Sequence, residues 1–422
     1  MKMERGEGIF GEDSISIEEV TENISHQDGK TFVGEALEKS LESIGTLPSD
    51  NSKALILAEI TDLLLDSDIL YLAERFGEKS LEFTTSIKIT TEKAKTLSRI
   101  ASIFTEYDID RISDKIFEKA LKVAKRVEDE GKRVEVLLTI IEDQLDKGLM
   151  EKAEKDLDEA LSTALDVAEK KDDVVPLAMV AETMAKIDKE RAEDLCERVL
   201  PFAQDLEDDR DWILGSVAKA FSRIGLPERS MELVEELMSE NISDIKLVEV
   251  AITLSQEDQT KIALELRDYV KNQELRDTLT GKIAADLVLD NSAEKALTLR
   301  KDIENEFEKD LLLKNIVSHY ASSDPKKARD HLQEIGSKEM KALAYRELVL
   351  SNLNRDDEQR AKKIALKARD MISDSNSEAI KVELIATLME VGLQEEAAGL
   401  AEGITTSEER AIAFGSIAAL SY

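Results

Sequence analysis

The chain has 422 residues and carries 91 Asp and Glu against 57 Lys and Arg, a formal net charge of −34, with 42% apolar residues and 4% aromatics. One cysteine and three histidines exclude a disulfide scaffold and leave too few donors for a multi-ligand zinc site. The acidic balance opposes nucleic-acid binding, which needs a basic face.

No apolar run reaches the roughly 20 residues of a membrane span, and no basic-then-apolar signal opens the chain. The expectation is a cytoplasmic protein with no membrane contact. Residues Met1 to Asp13 contain three glycines and no helical pattern, so 1–13 reads as a mobile tail.

From there a single pattern recurs, with apolar or small residues at i, i+3, i+4 and i+7, which lie on one face of a helix. It begins at Ile17-Val20-Thr21-Ile24 and returns at Leu57-Ile60-Thr61-Leu64 and Leu97-Ile100-Ala101-Phe104. Taking the third position as an anchor, the series is 21, 61, 101, 141 and 181, each 40 residues after the last. It continues at 218, 251, 284, 317, 349, 386 and 418, mostly 32 or 33 apart. Twelve copies are counted, the last being half a unit.

Between anchors lies a second helical stretch, opened by an acidic or small polar residue, as at Asp68, Glu151, Ser292 and Asp324. Such side chains accept hydrogen bonds from the first-turn N–H groups. Breakers at Gly131, Gly148, Gly225, Gly336 and Gly392 are expected to end helices. Each unit is therefore helix, turn, helix, and the fold class is all-α: a stack of about eleven and a half helix pairs. Periods of 40 and 33 differ by seven residues, close to two helical turns, so helices lengthen without losing their apolar face. The acidic stretch Asp205 to Asp211 marks the change of period. The expected division is 14–205, with longer repeats, and 206–422, with shorter ones, in one continuous stack.

The first-helix pattern resembles the tetratricopeptide repeat, in which a small residue on the first helix packs against an Ala twelve positions on. Here twelve after the anchor gives Ala73, Ala153, Ala263, Ala296, Ala361 and Ala398, while Ala192 and Ala328 sit one residue early. The family's Trp and Tyr are mostly Leu, Phe or Val here, and its Pro after the second helix is missing. The resemblance implies a right-handed α-α superhelix, a solenoid, whose first helices line a concave groove.

Chemistry is sparse. His319 and His331 fall on the two helices of one unit near acidic residues and read as surface-edge histidines; Cys196, with no nearby histidine, reads as a small buried hydrophobe. Acidic pairs such as Asp172-Asp173, Asp208-Asp209 and Asp356-Asp357 sit at turns and helix starts, where the dipole favours negative charge. No catalytic residue, metal ligand or cofactor site is expected.

By the resemblance, positions three before and one, four and five after the anchor are exposed in the groove. One after gives Glu22, Asp62, Ser102, Glu142, Glu182, Lys219, Ile252, Ala285, Ser318, Leu350 and Thr387; five after adds Asp66, Glu106, Asp146 and Arg223. The groove is expected to be acidic over its first units, to turn basic at Lys219 and Arg223 near Trp212, and to become apolar around Ile252, Leu350 and Val391. The functional expectation is a non-enzymatic scaffold binding a protein or peptide segment, preferentially a basic one. The alternatives are an enzyme or enzyme subunit using acidic pairs on a helical toroid, and a purely structural or self-assembling repeat protein.

Overall fold

The computed structural model describes residues 31–107, 110–171, 173–203, 209–239 and 243–421. The described residues form 22 α-helices and no strand. The tail at 1–13, the first anchor at Thr21 and the boundary expected at 205 lie outside them.

The chain divides into two compact units. Unit 1 combines residues 1–123 with 338–422 and holds α1 (Thr31–Gly45), α2 (Asp50–Asp66), α3 (Leu70–Ser86), α4 (Thr90–Glu106), α5 (Asp110–Ala124), α18 (Lys338–Leu353), α19 (Glu358–Ile372), α20 (Glu378–Glu390), α21 (Gln394–Glu402) and α22 (Ser407–Ser421). Unit 2, residues 124–337, opens with α6 (Glu130–Asp146), α7 (Met150–Lys171), α8 (Val175–Met184), α9 (Lys189–Ala203), α10 (Arg210–Ile224) and α11 (Pro227–Ser239). It continues with α12 (Asp244–Gln256), α13 (Thr260–Arg267), α14 (Gln273–Leu289), α15 (Ala293–Leu299), α16 (Glu306–Ser323) and α17 (Pro325–Glu334).

Even-numbered helices are the anchored first helices. Thr61, Ala101, Ile141, Ala181, Ala218, Ala251, Ala284, Val317, Val349 and Ala418 are all buried. One anchor needs correction. In α20 the buried residues are Lys381, Leu384, Ile385, Thr387, Leu388 and Met389, and Ala386 is only half-buried. The register is therefore one residue earlier, on Ile385, and its Ala partner is the buried Ala397 rather than the half-buried Ala398.

With Ile385 as anchor, one rule governs seven of the described turns after first helices. The residue seven after the anchor has positive φ at Asp68, Gly148, Gly225, Asp258, Asn291, Asp356 and Gly392. Gly, Asn and Asp enter this left-handed region most readily. Asp68 thus makes the turn and does not cap α3, whose N-cap is Ile69 without a side-chain bond. Gly131 lies inside α6 rather than ending a helix. At Asp188 and Asp324, also seven after the anchor, the left-handed residue is dropped. Asp188 accepts from the Arg191 N–H at 3.1 Å and Asp324 from Lys326 and Lys327. Skipping that turn residue starts the second helix one position sooner, which places the buried Ala192 and Ala328 one residue early.

Within unit 2 successive first helices pack in the order α6, α8, α10, α12, α14, α16. Within unit 1 the order is α18, α20, α22, α2, α4, and α1 packs on α22. A small residue three before the anchor allows the approach of α22 to α2: a Cβ on Gly415 would stand 2.8 Å from Ile60 Cγ1. The same position is buried at Ala58, Ser98, Leu138 and Ala178, so it is a packing surface between first helices and not an exposed one.

Candidate functional site

In unit 2 several residues one and five after the anchor pair from helix to helix. Glu142 on α6 meets Lys186, just past α8, at 3.2 Å. Glu182 on α8 meets Lys219 at 2.8 Å and Arg223 at 3.0 Å, both on α10. Lys219 approaches Glu249 of α12 at 3.9 Å, and Glu249 holds Lys246 at 2.9 Å. Lys246 in turn lies over the Trp212 ring of α10, 5.4 Å from its centroid, a cation–π contact. Farther along, Ser255 of α12 donates to Asp286 of α14 at 2.6 Å.

The expected change from acidic to basic is thus a step in an ion-pair ladder. Glu182, Lys219 and Arg223 are each at least about four-fifths covered (side-chain exposure 21%, 15% and 16%), so these pairs are less screened than surface ones. Burial by itself raises the Glu182 pKa, and Lys219 and Arg223 together override it and hold the carboxyl below its ordinary value. Glu142 and Asp146 remain exposed. In unit 2 Ile252, Ala285 and Ser318 are half-buried; in unit 1 Leu350 is half-buried, and Ser102, Thr387 and Val391 are buried.

In unit 1, Asp62 and Asp66 of α2 share one partner. The Tyr107 hydroxyl, at the end of α4, lies 3.1 Å from Asp62 Oδ1 and donates to Asp66. Burial first, then the two carboxylates, push the phenol pKa well above its ordinary value. Glu22 and the Glu106 side chain lie outside the described residues.

The histidines do not converge. Tyr320 separates them, stacked on His331 at 6.2 Å and edge-on to His319 at 4.8 Å. His331 Nδ1 faces Glu334 at 3.2 Å. Among the described residues no group of three or more His, Cys, Asp and Glu could hold a metal ion. Cys196 is buried, and desolvation first, then Glu197 and Glu193, push its thiol up to about 12. At that value it is protonated at neutral pH.

Sequence reasoning missed a second set of carboxylates, seven before the anchor. Asp244 accepts from the Asn272 N–H at 2.6 Å. Asp277 accepts from Glu304 and Asn305 at 3.0 and 2.7 Å, and Asp310 from Gly336 and Ser337 at 2.9 and 2.6 Å. Glu378 takes Thr405 and Thr406 at 2.9 and 2.8 Å, with both hydroxyls added. Each binds the loop that enters the next first helix. The spacing Asp244, Asp277, Asp310, 33 residues each, was the available signal.

No protein-family model matches the chain, and no curated protein matches it. Among solved structures, one match is Ton1535 from Thermococcus onnurineus NA1, at 16% identity and a TM-score of 0.35, over 78% of this chain and 99% of that one. A likeness of that size assigns neither family nor activity. No described helix is long and apolar enough to cross a membrane.

Proposed function

We propose that the chain is a non-enzymatic, tetratricopeptide-like helical-repeat scaffold, a right-handed superhelical stack that binds a protein or peptide segment along its first helices. The observation that supports this is the row α6 to α16 in unit 2. Its successive first helices present a charged ladder at Glu142, Glu182, Lys219 and Arg223 and half-buried apolar positions at Ile252 and Ala285. Extended helical surfaces of this kind recognise segments through anchors spread over several repeats. Because Glu182 is already neutralised by Lys219 and Arg223, a basic segment finds its charge partners at the exposed Asp146 and at the exposed Glu142, where it competes with Lys186.

Trp212 is the chain's one tryptophan and reports on this row. Titration of the full chain with basic, neutral and acidic 20-residue peptides, followed by Trp212 emission, tests the reading. The expected result is a saturable change with basic peptides, weakened by salt over a Debye length of about 8 Å and lost in Glu142→Lys, Asp146→Lys. Equal response to all three peptides, or none, overturns it.

A further inference from the structure

Among the helix pairs whose turns are described, every one is a hairpin; one further pair is not. The turn from α2 to α3, for example, takes only Ser67 to Ile69. The exception joins the two ends of the chain. Helix α22 is a first helix and the last one described, and α1 is a second helix whose sequence partner, Ile17 to Ile24, lies outside the described residues. In the structure α22 and α1 pack on each other.

Their contact repeats that of an ordinary pair. In α2 and α3, Ser80 Oγ donates to the carbonyl of Ala54 at 2.6 Å. In α22 and α1, Ser40 Oγ donates to the carbonyl of Ala411 at 2.9 Å. Ser40 lies 40 residues before Ser80, one repeat period, and Ala54 and Ala411 each stand seven before their anchors, Thr61 and Ala418. Four residues around this contact are fully or almost fully buried: Ser40, Ser80, Ala54 and Ala411. At the rim Thr46 Oγ1 donates to Ser407 Oγ at 2.7 Å, and Lys39 pairs with Glu402. Gly415 meets Ile60 where any Cβ would collide.

We propose that α1 and α2 form a docking site for a helix of the first-helix type, that α22 fills it as a detachable ligand, and that a second copy's α22 fills it once the chain's own has left. In a hairpin a short turn holds the two halves together. Here the halves lie about 360 residues apart, so their loop closure is entropically dearer. An identical chain offers an identical α22, so exchange preserves each contact named above, the basis of domain swapping. The Gly415–Ile60 approach restricts the site to a first helix with glycine three before its anchor.

The test uses full-length chains in which Cys196→Ala leaves introduced thiols as the only ones. The double variant Thr46→Cys, Ser407→Cys is expected to close an intrachain disulfide under mild oxidation, running as monomer without reductant. Single variants Thr46→Cys and Ser407→Cys, unfolded in urea and refolded together at high concentration, are expected to give disulfide heterodimer several-fold above homodimer, falling on dilution. Gly415→Leu in the Ser407→Cys chain is expected to abolish the heterodimer with helix content unchanged by circular dichroism. Absence of the intrachain disulfide, a heterodimer yield no higher than that of homodimers, or heterodimer surviving Gly415→Leu overturns the proposal.

Discussion

The repeats of α12 to α17 and those of α2 to α9 solve one packing problem in two ways. Where the second helix is long, as in α3 with 17 residues and α7 with 22, the residue seven before the anchor is apolar and fully buried: Ala54, Ala94 and Val134. Where the second helix is short, as in α13 with 8 residues, α15 with 7 and α17 with 10, that residue is Asp244, Asp277 or Asp310. A short helix gives way sooner to a loop whose N–H groups are turned inward, and a carboxylate satisfies them. Unit 1 repeats the contrast. Ala342 goes with the 15-residue α19, and Glu378 with the 9-residue α21. Second-helix length, rather than position along the chain, decides which device is used.

The largest expected effect comes from placing the acid in the wrong class. Val134→Asp buries a carboxylate opposite a long helix, with no loop N–H to receive it, and should cost about 4 kcal/mol. Urea unfolding followed by circular dichroism measures this; a loss below 1 kcal/mol would erase the distinction. Removing the acid from the short class comes next. Asp277→Ala orphans the Glu304 and Asn305 N–H groups, at about 3 kcal/mol, and amide exchange at those two residues should rise with it.

Glu182→Gln removes the counter-charge of Arg223 and leaves Lys219 only the 3.9 Å approach of Glu249, an expected loss of about 1–2 kcal/mol. Reduced stability together with a shift in Trp212 emission would show that the ladder is coupled from α8 to α12.

A pH effect follows from Glu378, whose bonds to the Thr405 and Thr406 hydroxyls and then backbone hold its pKa at about 2, against an ordinary 4.5. A depressed carboxyl stabilises fully above its unfolded value and less as pH falls toward the folded one. Thermal midpoints of Glu378→Gln and the parent chain should therefore differ above pH 4.5 and converge between pH 4.5 and 2. The smallest effect is conformational: Gly392→Ala, at φ +72°, should cost about 1 kcal/mol, whereas Asp188→Ala should cost only its cap.

Much of this was legible beforehand. The anchors, the alternation of helices and the small residue of the second helix follow from local periodicity. The register at Ala386 differs for a definite reason: the branched Ile385, rather than the small Ala386 beside it, is the buried residue. The groove was legible as a set of positions but not as a charge. Read one helix at a time, Glu142 and Glu182 form an acidic surface; across helices, Lys186, Lys219 and Arg223 answer them. Positions three before the anchor looked exposed because a single helix pair does not show where its neighbour presses.

By itself the amino-acid sequence determined that the chain is helical, where each turn falls and how the period changes, because i→i+4 bonding, amphipathic spacing and left-handed turn residues act within a few residues. Only the tertiary structure decided which carboxylates are neutralised, which loops need them, and that α22 completes the pair begun by α1. Those outcomes join residues from 26 to more than 360 positions apart, a separation over which no local propensity carries information.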